Sequence, residues 1–145
     1  ALAHGLPVDA ALESLDLGLC GLIDQGSLGE IASVLTNKAP GLQCISVCGN
    51  GQLGLTGLID FICGLQSRGG LRALNVGSCW LERDSGGSTL AELVRANPGI
   101  EHLDLSGNEQ FGVIGLRAFV EQLPAGFRLR SLRMRDCGLL QEEGG

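Results

Sequence analysis

The sequence predicts an α/β solenoid, a horseshoe with a concave parallel β-sheet and convex α-helices. Three observations predict it: an apolar pattern that recurs every 29 or 30 residues, a helix-period leg after each copy, and a turn signal closing each leg. Periodicity of this length marks stacked units, none of which can bury its apolar face alone.

The copies are LESLDLGLCGL from Leu12, LQCISVCGNGQL from Leu42, LRALNVGSCWL from Leu71, IEHLDLSGNEQF from Ile100 and LRSLRMRDCGL from Leu129. Their starts lie 30, 29, 29 and 29 residues apart. Each reads L-x-x-L-x-L-x-x-[N/C]-x-L, with one extra residue before the last apolar position in the second and fourth. Around the fourth to sixth positions the chain alternates as a short strand, so Leu15 and Leu17, or Leu103 and Leu105, point inward. The third, fifth and seventh positions then face outward.

The legs follow with apolar residues at helical spacing. Leu28, Ile31, Ala32 and Leu35 form the first, and Leu55, Leu58, Ile59 and Ile62 the second. Leu90, Leu93 and Val94 form the third, and Leu116, Phe119, Val120 and Leu123 the fourth. Pro40-Gly41, Gly69-Gly70, Pro98-Gly99, and Pro124 with Gly126 stop them.

The ninth position alternates Cys20, Asn50, Cys79, Asn108, Cys137. With a period near 29 and helical second halves, this resembles the ribonuclease-inhibitor-like class of leucine-rich repeats, which Ran GTPase-activating proteins, tropomodulins and NOD-like receptors share. The resemblance implies a protein-binding scaffold, with regulation of an enzyme (GTPase activation or inhibition) or a structural role in a sensor, cytoskeletal or ciliary assembly as alternatives. The matched motifs belong to the scaffold, so they carry over no catalytic residue. Residues 1–145 read as one domain, with 1–11 the tail of a preceding repeat, because Leu6-Pro7 mirrors Leu123-Pro124. The expectation is a piece of a longer array whose flanking repeats cover both ends.

One motif points elsewhere. Gly49-Asn50-Gly51-Gln52-Leu53-Gly54 is a G-x-G-x-x-G between a strand-like and a helix-like run, the setting of a dinucleotide-binding loop. Asn50 is, however, the ladder residue of the second repeat. No carboxylate stands in the Asn75-Val76-Gly77-Ser78 stretch where a ribose would need one. The glycines read as turn residues, and no cofactor is expected.

Ten basic against sixteen acidic residues give a net charge of −6, which disfavours nucleic acid and anionic membranes as partners. No apolar run reaches the ~20 residues that cross a bilayer. Cys20, Cys79 and Cys137 lie two strands apart, ~9.6 Å per step at ~4.8 Å per strand, beyond the reach of a disulfide. Free buried thiols suit the cytosol or nucleus. No C-x-x-C or H-x-x-x-H spacing offers a zinc site.

For chemistry, His102 beside Asp104 with Ser131 on the next strand offers the one hydrolytic arrangement. Side chains on one strand face run parallel rather than converge, so no enzyme activity is expected. Cys44 and Cys48 face outward at roughly 13 Å, too far apart to bond. Register places Arg130 beside Glu101 and Arg133 beside Asp104 as cross-strand charge pairs, leaving Arg128 and Arg135 free. Trp80 takes the slot held by Gly21 and Gly138, a candidate contact at the rim. The expected protein-binding residues are Ser46, Cys48, Asn75, Trp80, His102, Asp104, Arg133 and Arg135.

Overall fold

The computed structural model describes residues 12–18, 25–51, 57, 60–61, 70–79, 81–83 and 85–140. The preceding-repeat tail, Cys20, most of the second helical leg, Gly54 and Trp80 lie outside the described residues, as does the Leu28 side chain. The elements run β1 (Ser14–Asp16), α1 (Gln25–Lys38), β2 (Cys44–Ser46), β3 (Ala73–Asn75), α2 (Gly86–Ala96), β4 (His102–Asp104), α3 (Gly112–Gln122) and β5 (Ser131–Arg133). The strands form one parallel sheet in chain order, β1 to β5.

The register is the one the repeat dictates. Leu15, Ile45, Leu74, Leu103 and Leu132 are aligned partners, and so are Asp16, Ser46, Asn75, Asp104 and Arg133. Inward residues are buried: Ile45, Val47, Leu74, Val76, Leu103 and Leu105 are all at most 3% exposed. The helices add Ala32 and Leu35 from α1, Leu90, Leu93 and Val94 from α2, and Phe119 from α3 to the same core. Val120, expected on that face, is instead 55% exposed. It lies on α3 next to Phe119, and Leu116, Phe119 and Leu123 are the residues of that leg that pack on the core. Leu129, Leu132 and Met134, in and beside β5 at the edge of the described sheet, are partly exposed.

Three-residue strands pair few of their own backbone groups, so neighbouring repeats close the rest. Amides at the sixth position reach forward to the next strand: Val47 to the Asn75 carbonyl, Val76 to Asp104 and Leu105 to Arg133, at 2.8–2.9 Å. At the ninth position the buried Asn108 makes four bonds. Its amide donates to the Val76 and Leu105 carbonyls at 3.0 and 2.6 Å. Its Oδ1 accepts from the Cys79 and Leu81 amides at 3.0 and 3.1 Å. Asn50 repeats the donor half, to the Leu17 and Val47 carbonyls at 2.9 and 2.8 Å.

The eighth position turns the corner in the left-handed region, with Gly49 at φ 79°, Ser78 at 49°, Gly107 at 80° and Asp136 at 54°. Gly49 therefore serves as a corner, and its amide donates to the Gly77 carbonyl at 2.9 Å rather than facing a ligand. On the convex side α2 meets α3 at Gly87. A Cβ there would run into the Gly115 carbonyl oxygen and sit 2.8 Å from the Phe119 amide nitrogen.

Two pairs of substitutions test this packing by urea unfolding. Asn108→Ala strands four buried backbone groups and should cost about 3 kcal/mol or more. Asn97→Ala should cost no more than about 1 kcal/mol, since the equally buried Asn97 makes one side-chain bond, to the Leu93 carbonyl at 3.2 Å, and its Oδ1 has no partner among the described residues. Gly87→Ala should destabilise by about 1–3 kcal/mol through backbone overlap. Gly29→Ala, inside α1 where an added Cβ would make, among the described residues, an ordinary 3.8 Å contact to the Asp60 carbonyl, should stabilise by about 0.5–1 kcal/mol. Equal effects within either pair would contradict the packing.

Candidate protein-binding face

The outward positions of β1 to β5 form one shallow concavity of about 350 Å³. Its lining alternates two rows. The third-position row is Ser14, Cys44, Ala73, His102 and Ser131, and the fifth-position row is Asp16, Ser46, Asn75, Asp104 and Arg133. The structure thus brings Ser46, Asn75, His102, Asp104 and Arg133 together on one face, as expected. Cys48, half-buried, and the exposed Arg135 follow at the seventh position, just past the strand ends. The expectation for Trp80 falls outside the described residues.

The two rows do different work. In the fifth-position row the side-chain oxygen turns back to the amide two residues on: Asp16 to Gly18 at 2.8 Å, Asn75 to Gly77 at 2.8 Å, Asp104 to Ser106 at 2.9 Å, and Ser46 to Cys48 at 3.4 Å. These are Asx-type and Ser-type turns, which close the backbone as the strand ends. Three residues expected to contact a partner, Ser46, Asn75 and Asp104, are therefore also structural. The sequence marks only two of these exits, as Asp16-Leu17-Gly18 and Asn75-Val76-Gly77, whereas Ser46 and Asp104 are followed by Cys48 and Ser106 and carry no such mark. By contrast, Ser14, Ala73, His102 and Ser131 make no side-chain hydrogen bond to the scaffold among the described residues. Ser14, Ala73 and Ser131 are thus candidate contacts that sequence reasoning passed over.

The expected charge pairs are not formed. Glu101 is within 3.8 Å of Arg72, on the other side from Arg130. Arg133 and Asp104 are register partners but form no ion pair, since Asp104 folds back onto the Ser106 amide. Nor does a hydrogen bond join His102 to Asp104 or Ser131, although both lie beside it. Among the described residues no group of three or more His, Cys, Asp and Glu side chains converges to hold a metal ion.

Cys44, Cys48, Cys79 and Cys137 are free thiols, and the last two are buried. Cys79 Sγ donates to the Val47 and Gly77 carbonyls at 3.2 and 3.4 Å, and Cys137 Sγ to Leu105 at 3.1 Å. Burial pushes the Cys79 thiol up to about 11 from an ordinary 9.0. Burial, then the Asp104 and Asp16 carboxylates, also raises Cys48. Neither is poised as a nucleophile.

In the folded chain Cys79 thus holds its proton more tightly than in the unfolded chain. Its contribution to stability should be complete below pH about 9 and disappear as pH rises to about 11. Unfolding measured across that range should show the decline, and Cys79→Ala should flatten it. In the native protein Cys79 should also resist iodoacetamide, and alkylation as fast as in the unfolded chain would refute its burial.

Comparison with known proteins agrees with this architecture. A leucine-rich repeat family model matches residues 96–120. The tropomodulin C-terminal domain of Caenorhabditis elegans is 17% identical, over 88% of this chain and 75% of its own, with a TM-score of 0.63. The leucine-rich repeat-containing protein LegL7 of Legionella pneumophila is 22% identical, over 90% of this chain and 40% of its own, with a TM-score of 0.64. A chain of the yeast Rad7–Elc1 complex is 26% identical, over 85% of this chain and 29% of its own, with a TM-score of 0.59. No curated protein matches the chain. The 29-residue period and the Asn/Cys alternation fit the ribonuclease-inhibitor-like class, and one parallel sheet in repeat register gives the chain a leucine-rich repeat fold similar to these proteins.

Proposed function

We propose that the chain is a protein-binding module that receives its partner on the concave sheet. The observation that carries this reading is the third-position row. Ser14, Cys44, Ala73, His102 and Ser131 vary in chemistry along one continuous face, and among the described residues no side-chain hydrogen bond to the scaffold explains the choice of Ser14, His102 or Ser131. A row relieved of structural duty is where recognition can be written without cost to the fold. Arg133 and Arg135 extend it at the β5 side, and Cys48 sits at its margin. The match to a chain of the Rad7–Elc1 complex, itself a protein assembly, supports a protein as the partner class.

No described helix is long and apolar enough to cross a membrane. Buried free thiols at Cys79 and Cys137 support a reducing compartment, the cytosol or nucleus. Exposed apolar groups on α3 and the segment after it, with Val113, Val120 and Phe127 at 39–55% exposure, support flanking repeats of a parent chain as further neighbours.

The test uses a partner captured by the full chain and a measured binding constant. Ala73→Glu, at the centre of the face, should weaken binding by about tenfold or more with the melting temperature unchanged. Arg117→Glu, exposed on α3, should leave binding intact. The reverse ranking would place the site on the convex side and end this reading.

A further inference from the structure

We infer that Arg133 and Arg135 form a docking point for a short carboxylate-rich segment of a protein partner, one whose acidic run soon gives way to uncharged or basic residues. This rests on the concave-face reading and names the chemistry that the face receives at its β5 side.

The repeats supply their own comparison. At the fifth position four of them keep an oxygen-bearing side chain that closes the turn: Asp16, Ser46, Asn75 and Asp104. Arg133 has no acceptor, so the fifth repeat has given up that closure. The Arg135 amide donates instead to Ser106 Oγ of the neighbouring repeat at 3.1 Å. At the seventh position the other repeats carry small residues, Gly18, Cys48, Gly77 and Ser106, whereas the fifth carries Arg135. The scaffold thus departs from its own rule at two outward positions of one repeat, and each departure adds a cation.

Both side chains are exposed, and neither forms an ion pair among the described residues, although Asp104 is the register partner of Arg133 and Asp136 follows Arg135. Arg128 and Arg130 are exposed close by, so four of the ten basic residues fall within 128–135. Paired guanidinium forks on one face match carboxylates in both charge and shape.

The extent of the positive zone limits what it can accept. The adjacent strand, ~4.8 Å away, presents Asp104, and the far edge presents Asp16. A long polyanion laid across the sheet, nucleic acid included, would meet those carboxylates on a chain of net charge −6. A brief acidic run would not.

The experiment uses the full chain and fluorescence anisotropy. Three probes are compared at low and physiological salt: a peptide with a short Glu run followed by Gly and Ser, an all-Glu peptide of equal length, and a single-stranded oligonucleotide. The block peptide should bind tightest. Arg133→Glu with Arg135→Glu should weaken it by about tenfold or more, while the charge-matched pair Arg83→Glu with Arg117→Glu should not. Melting temperatures should match across the variants. Equal loss in the charge-matched pair, no binding of the block peptide, or equal or tighter binding of the all-Glu peptide or oligonucleotide would overturn the proposal. If Ala73→Glu weakens partner binding but the two arginine reversals do not, the concave-face reading stands and this inference fails.

Discussion

Strands of three residues leave backbone polar groups open where the chain leaves the sheet, and the fold depends on closing them. The ninth position does this across repeats. Asn108 closes its own corner through the Leu105 carbonyl and, through Oδ1 and Val76, the corner of the repeat before it. Because the Asn108 oxygen already takes the Cys79 and Leu81 amides, the preceding repeat needs no acceptor of its own. A thiol, a weak donor of small volume, then fills the slot and points at the Val47 carbonyl. The alternation of Asn and Cys follows from this division of labour. So does the extra residue after Asn108, where the Phe111 amide closes back on the Asn108 carbonyl at 3.0 Å.

The same logic separates scaffold from recognition on the concave face. Fifth-position oxygens close the strand exits, so four of the five repeats have only limited freedom there. The third position carries no such duty. Arg133 is the exception in its row, and its cost is met by Ser106, which places an oxygen where three other repeats have Gly or Cys. A cation held at that expense is a stronger sign of recognition than a charge in a position that tolerates anything.

Much of this was legible in the sequence. The strand register, the inward leucines, the ladder of Asn and Cys and the α1, α2 and α3 legs all follow from one apolar period. Within the glycine motif, Gly49 takes the same eighth-position corner as Ser78, Gly107 and Asp136, as its place in the repeat implies. Less legible was anything set by a side chain bonding its own backbone. Ser46 and Asp104 look like surface polar residues until their turns are seen, and Ser78 and Asp136 give no hint that they adopt positive φ. The Arg133–Asp104 pair failed for a related reason, since a carboxylate bound to a nearby amide is held away from a neighbouring strand, while Glu101 faces Arg72 rather than Arg130. Helix legs were readable by period but not in detail, as Val120 shows by turning outward.

The central claim is that Asn108 Oδ1 holds the corner of the preceding repeat. Native-state hydrogen exchange reads it directly, through the Cys79 and Leu81 amides. These lie outside every strand and helix, yet the account predicts that they exchange as slowly as the buried Val76 and Leu105 amides and open with the global unfolding free energy. Exchange of Cys79 and Leu81 at the rate of exposed turn amides, with Val76 and Leu105 still protected, would contradict it.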